Sequence, residues 1–283
     1  MKPEDYRPSS KLKRLWEIEL DLLKVFIDVC NRHNLEYFVI GGTLLGAARH
    51  NGFIPWDNDV DVIMPRDDYD RLWSIASEQF KYPYFFQTTI SETKENFFRS
   101  HAQLRNSRFL GYCRSDEGKC INKGVFIDIF PLDRVPDDNI EMQSWQQHIM
   151  SNKKLMERYC RKATKLKEYL RLSTIVAKLF FAFVPYRRYF NFFNKRVLGK
   201  YRYKETKKVG NISLGWHPQF IWPKKYFDEY CYLLFEGIEV KAPRYYEQVL
   251  TISYGDWRKY PKEVSEGIGT LHGEILFDDK QAK

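Results

Sequence analysis

The residues Asp57-Asn58-Asp59-Val60-Asp61 put three carboxylates at i, i+2 and i+4. On a strand, alternate side chains share a face, so the three would point to one side and repel one another. A divalent cation relieves that repulsion. An all-oxygen set suits Mg²⁺, with Mn²⁺ as the alternative, bound through one or two carboxylates plus substrate phosphates. The competing explanation is a solvated acidic edge.

Two further stretches bear on the choice. Gly41-Gly42-Thr43 lies between an apolar run, Leu35 to Ile40, and a helical pattern, Thr43 to His50. Missing side chains there let backbone N–H groups at a helix N-terminus approach a phosphate. Val125-Phe126-Ile127-Asp128-Ile129-Phe130 holds one carboxylate in an otherwise apolar run. A charge in a buried strand is costly unless it meets a metal or a cation, so Asp128 needs a partner, and a salt bridge to an arginine would serve as well as a metal.

These groups need elements to hold them. Leu12, Leu15, Trp16, Glu19, Leu22, Leu23, Phe26 and Cys30 fall near helical spacing, with Ser9 or Ser10 as N-cap, and all but the Glu are apolar. Strands are predicted at Leu35 to Ile40, Asp57 to Met64, Tyr84 to Thr88, His101 to Leu104 and Gly124 to Phe130, with a helix from about Asp67 to Phe80. The mixed order predicts an α/β (α+β) sheet flanked by helices. From Met142 to Lys208 the chain turns helical, basic and aromatic. After Val209, short elements rich in Gly, Pro and Trp follow, among them Gly215-Trp216-His217-Pro218 and Tyr254-Gly255-Asp256-Trp257. The organisation expected is a catalytic core over 1–141, a basic helical insertion over 142–208 and a return to the catalytic body over 209–283.

The net charge of +9 is unevenly placed. Between Asn152 and Lys208 there are 18 Lys or Arg against 3 Glu, a local net of +15, which leaves the remainder at −6. A nucleic-acid binder of uniformly basic surface is therefore not expected. The cysteines, 5 in number, are scattered without metal-ligand spacing and are expected as mostly buried thiols. With no apolar leader and no membrane-length apolar run, the expected compartment is the cytoplasm.

The wording of the chemical stretch is specific. GGTLLGAARHNGFIPWDNDVDVIMPRDDYDRL, followed by FIDIFPLD and later YGDW, resembles the LicD family of phosphocholine transferases, whose relatives include fukutin and fukutin-related protein. It also resembles the wider nucleotidyltransferase pattern of a Gly-Gly-Thr/Ser turn, an Asp-apolar-Asp pair and a third carboxylate on a neighbouring strand. The resemblance implies a nucleotidyltransferase-like fold, with Gly41, Gly42 and Thr43 holding the donor's phosphates. Asp59, Asp61 and Asp128 would be the catalytic carboxylates and ligate Mg²⁺. Where the family reads W-D-D-D-I-D, Asn58 replaces the middle acid, and in the strand reading it faces away from its acidic neighbours. The role of Asp57 is left open, because the superfamily pattern needs only the pair.

The implied reaction is transfer of phosphocholine from CDP-choline, or another CDP-alcohol such as ribitol or glycerol, to a hydroxyl of a cell-surface glycan. A lipid-linked teichoic acid or lipopolysaccharide precursor would be the acceptor, and CMP would be released. Arg49, Arg66, Arg99 and Arg105 are the candidate cations for the transferring phosphoryl group. Trp56 is the aromatic nearest the metal site for a quaternary ammonium, and His50 and His272 are candidate contacts. Nucleotidyl transfer from a nucleoside triphosphate, and a non-enzymatic polyanion-binding role, are the competing functions. The basic segment 152–208, with Leu170, Leu172, Ile175, Val176, Leu179 and the phenylalanines that follow, has the composition of a peripheral anchor on an anionic membrane, the alternatives being an ordinary helical subdomain with a solvated basic face or a contact for a polyanionic acceptor such as a teichoic acid chain.

Overall fold

The computed structural model describes residues 2–161, 172–214, 218–267 and 275–281. Leu170, Gly215, Trp216, His217 and His272 lie outside those residues, as does the stretch 162–171 of the basic segment.

Helix α1 (Ser10–Arg32) starts where the Ser9 side chain accepts a hydrogen bond from the Leu12 N–H at 3.0 Å, satisfying one of the donors a helix start leaves over. Its stripe of Leu12, Leu15, Ile18, Leu22, Leu23 and Phe26 is buried, and Glu19 is buried within the same stripe. After the short β1 (Phe38–Val39) the chain enters α2 (Gly41–His50) through Gly41, whose φ of 60° is in the left-handed region that favours glycine. Then come β2 (Asp61–Pro65), α3 (Arg66–Gln79), β3 (Tyr84–Gln87), β4 (Ala102–Cys113) and β5 (Gly124–Val135).

Strand β5 is the axis of the sheet. It pairs parallel with β2, with Asp61 opposite Asp128, and antiparallel with β4, with Gln103 opposite Asp128. Strand β1 lies beyond β2, while β3 and β10 (Ile275–Gln281) pair along β4. The long apolar run of β5 is thereby covered on both edges, as a buried central strand requires.

The strand expected from Asp57 is shorter than its alternation suggested. It begins at Asp61, because the Asp57 N–H donates to the Ile54 carbonyl at 2.9 Å and closes a turn. Only Asp61 of the three acids is on a strand; Asp57 and Asp59 sit on the loop that feeds it.

Helix α4 (Asn139–Cys160) is capped by Asp138, which accepts from the Glu141 N–H at 2.8 Å. Helices α5 (Leu172–Phe183) and α6 (Tyr186–Phe192) follow, and π and 3-10 turns continue α6 to Tyr201. Together they enclose a second apolar cluster, with Trp145, Ile149, Phe181, Phe190 and Phe193 among its members, separate from the cluster around the main sheet. Strand β6 (Lys208–Gly210) then pairs with the end of β5 and with β7 (Ile221–Pro223), ahead of the β8 (Tyr230–Phe235) and β9 (Ile238–Pro243) hairpin and α7 (Tyr246–Tyr254). Among the described residues no helix is long and apolar enough to cross a membrane. Of the cysteines only Cys30 and Cys113 are buried; Cys120 is exposed.

Candidate active site

A cavity of about 450 Å³ opens at the start of α2. Gly41, Gly42, Arg49 and Trp56 line one side, with Asp57, Asp59 and Asp61 beside them. The opposite side comes from the far end of the chain, with Phe220, Trp222, Tyr254, Asp256, Trp257, Lys259 and Tyr260. Asn58 is not on the wall, so the alternation expected at 57–61 holds for which side chains reach the cavity even though most of that run is loop.

The glycines are required by their neighbours. A Cβ on Gly41 would lie 2.7 Å from Asp61 Oδ2, and one on Gly42 would collide with Asp57 Oδ2. The two acids therefore rest against the backbone at the helix start, the position from which phosphate oxygens would be held. Thr43 is placed differently from its expected phosphate contact. It is buried, and its hydroxyl accepts the Asp61 N–H at 2.8 Å, fixing the strand entry that carries that acid.

Burial holds the Asp57 and Asp61 carboxyls well above the ordinary carboxylate range, and the nearby Asp59 raises both further. Sequence reading passed over Glu19. From α1 it is buried, raised first by burial and then by Asp59, and its Oε2 has no hydrogen-bond partner. A single acid inside an apolar helical stripe was the signal. The same helix steadies the loop through Trp16, whose indole N–H donates to the Asp57 carbonyl at 2.9 Å.

Among the described residues, no group of three or more His, Cys, Asp or Glu side chains is placed to hold a metal ion. The donor set does fit a cation of the Mg²⁺ type, which needs only one or two carboxylates and completes its shell with water and phosphate. Asp61 Oδ1 is buried without a hydrogen-bond partner, an acceptor that such an ion would satisfy.

Asp128 is adjacent to Asp61 across the ladder but fully buried, and it does not line the cavity. Its Oδ1 accepts from Gln103 Nε2 at 2.8 Å and lies 2.9 Å from His101 Nε2. Arg105 is also fully buried and away from the cavity. It donates to Gln103 Oε1, to Gln87 Oε1 at 2.7 Å and to the Gly124 carbonyl at 2.6 Å. Since a guanidinium can only donate, Arg105 turns the Gln103 amide so that its NH₂ faces Asp128. Arg105 is thus two hydrogen bonds from Asp128, itself behind the cavity, and the expected direct contact with a donor is not what the fold provides.

The other arginines divide similarly. Arg66 is buried in a two-point pair with Asp133, at 2.6 and 2.7 Å, and Arg99 is paired with Asp116, so neither reaches the cavity. Arg49 does. Its Nη1 donates to the Trp257 carbonyl at 2.9 Å and its guanidinium lies 4.6 Å from the centre of the Tyr260 ring. His50 accepts from Arg49 Nε at 3.1 Å, and burial, with Arg49 beside it, lowers its pKa to about 4, leaving a neutral imidazole at pH 7.

A mixed sheet carrying acids on its central strands, beside a glycine-started helix, is the architecture of a nucleotidyltransferase-type domain. Residues 34–169 match the family model described as LicD/FKTN/FKRP, nucleotidyltransferase domain. The chain is 31% identical over 258 residues to the lipopolysaccharide cholinephosphotransferase LicD of Haemophilus influenzae, covering 86% of this chain and 90% of that one. It is also 50% identical over 36 residues to the ribitol 5-phosphate transferase FKRP of mouse and of human, which is 13% of this chain and 7% of each of those. The chain belongs to the LicD family and is a phosphotransferase.

Proposed function

We propose that the protein transfers phosphocholine from CDP-choline to a hydroxyl of a cell-surface glycan precursor, with release of CMP. The observation that carries this reading is the cavity that joins Asp57, Asp59 and Asp61 to the glycine-started helix and to an aromatic wall. The LicD relative's name and the extent of the match support choline as the donor's alcohol. The acceptor we infer is a lipid-linked teichoic acid or lipopolysaccharide precursor, met at the inner face of the cell membrane.

Asp59 and Asp61 would hold Mg²⁺, with Mn²⁺ as substitute and Asp128 as the third acid behind them. The bound ion would neutralise charge on the donor's pyrophosphate and on the transferring phosphoryl oxygens. The N–H groups at Gly41 and Gly42 face the donor's phosphates. The acceptor oxygen attacks the phosphorus that carries choline, the bond from that phosphorus to the CMP oxygen breaks, and the acceptor's proton passes to a carboxylate of the Asp57, Asp59 and Asp61 group. Trp56, Trp257 and Tyr260 exclude water from the reacting centre and offer ring faces and edges to the head group.

A panel of CDP-alcohols with Mg²⁺ and a crude glycan acceptor, read by CMP formation, tests the reading. CDP-choline is expected to give the fastest release. Faster turnover of CDP-ribitol would move the donor to the alternative that the short FKRP match favours, and faster turnover of CDP-glycerol would make glycerol the donor's alcohol. Pyrophosphate release from a nucleoside triphosphate, without CMP release from any CDP-alcohol, would replace the reading with nucleotidyl transfer.

A further inference from the structure

The helix α5 presents two opposed faces. Thr174, Ala177 and Phe181 are buried against the second apolar cluster, whereas Leu172, Val176, Leu179 and Phe183 are 76%, 51%, 58% and 87% exposed. The exposed residues fall at i, i+4, i+7 and i+11, so they form one stripe along the helix. Nothing in the described fold packs over it. Phe192, on the next helix, is a further exposed aromatic at 53%. Scattered apolar residues on a surface are ordinary, but an aligned row of four ending in a phenylalanine this open is not.

The charge around the stripe selects its partner. From Leu172 to Lys204 there are 8 Lys or Arg and no Asp or Glu. Arg188, Lys195 and Arg196 are exposed, and Arg188 and Lys195 stand at i−4 and i+3 from Phe192. A second copy of this face would bring like charges together. A hydrophilic polyanion would have no use for the apolar row. An anionic bilayer satisfies both features, since apolar side chains enter the acyl boundary while cations remain at the headgroup phosphates.

We infer that Leu172, Val176, Leu179 and Phe183, flanked by Arg188, Phe192, Lys195 and Arg196, form a surface that docks in the plane of an anionic membrane. The helix has 12 residues, roughly 18 Å at the α-helical rise, and so lies in the interface and does not cross it. This deepens the reading of the acceptor as lipid-linked: the enzyme is held on the surface where such an acceptor is anchored.

Flotation with vesicles of phosphatidylcholine alone, or with phosphatidylglycerol added, tests the surface on the whole chain without donor or acceptor. At low salt the wild-type chain is expected to float with the phosphatidylglycerol vesicles, far less with phosphatidylcholine alone, and to be released by high salt. Leu179→Ser with Phe183→Ser should weaken partition by roughly tenfold or more, with unchanged far-ultraviolet dichroism. Arg188→Ser with Lys195→Ser should weaken it by roughly tenfold on anionic vesicles alone. Failure of the wild-type chain to float at low salt would overturn the inference, as would flotation insensitive to the Leu179 and Phe183 changes. So would a concentration-dependent dimer that those changes disperse, since that would assign the stripe to a second copy. CMP release from CDP-choline onto a soluble acceptor, measured on the same variants, separates the two readings. In the variants CMP release should persist while flotation falls; in the wild type, CMP release without flotation would sink the docking surface alone, and flotation without CMP release would sink the donor reading alone.

Discussion

Two sets of buried acids in this molecule are treated in opposite ways. Asp133 is met by both arms of Arg66, and Asp116 by Arg99 and Lys119. Burial alone would raise the Asp116 carboxyl, but the cations outweigh it and hold it below the usual range. Asp57, Asp61 and Glu19 are pushed the other way, because burial is compounded by further acids. The first set is complete within the chain and serves the fold. In the second, burial and mutual repulsion oppose the charged form, and the proposed Mg²⁺ would relieve that repulsion.

The contrast can be broken most forcefully at Arg66. Arg66→Ala leaves Asp133 buried without its partner and should cost about 3–5 kcal/mol of stability by urea unfolding; a loss below about 1 kcal/mol would place that pair among the ordinary surface bridges. At the cavity the effect should fall on turnover. Asp59→Asn and Asp61→Asn should each lower kcat by roughly 10²–10³-fold with the fold retained by circular dichroism, and full Mg²⁺-dependent activity in both would remove the site assignment.

Between the two lies Gln103, which carries the order of the arginine-bound region to Asp128. Gln103→Leu should lower kcat by roughly 10–100-fold with little change in KM, whereas equal changes in both parameters would mean a general loosening. The smallest effect concerns pH. A carboxyl whose folded-state pKa is raised weakens folding as pH climbs above its unfolded value, near 3.8 for Asp61, until the raised value is passed. In EDTA, Asp61→Asn should therefore gain stability over wild type as pH rises through that window, and Mg²⁺ should shrink the gain. Asp116 has the opposite sign: its contribution is present above 3.8 and lost as pH falls through its depressed value. A difference between Asp61→Asn and wild type that ignored both pH and Mg²⁺ would erase the distinction between the two sets.

What could be read from the residues was what local pattern determines. The Ser9 cap, the α1 stripe, the glycine-started α2 and the acid in β5 all follow from spacing within one element. Arg66 was misassigned because its partner is 67 residues away, and an arginine beside an acidic motif looks the same whether it meets a phosphate or Asp133. Arg105 was misplaced for a related reason, since its burial depends on the pairing of β3, β4 and β5. The start of β2 was missed because a turn at Asp57 competes with the strand its alternation favours. Trp257 and Tyr260 could not be placed opposite Gly41 from spacing at all, because only the tertiary fold brings those distant segments together.

That last juxtaposition bears on when the enzyme can first act. Arg49 grips the carbonyl of Trp257, 208 positions later, and the cavity between them has no second wall until that stretch exists. On a translating ribosome the glycine turn and the acidic loop emerge before the basic helices, and the aromatic wall emerges after both. A nascent chain can therefore carry its acids and its basic surface while still lacking the chamber in which a donor could be discharged.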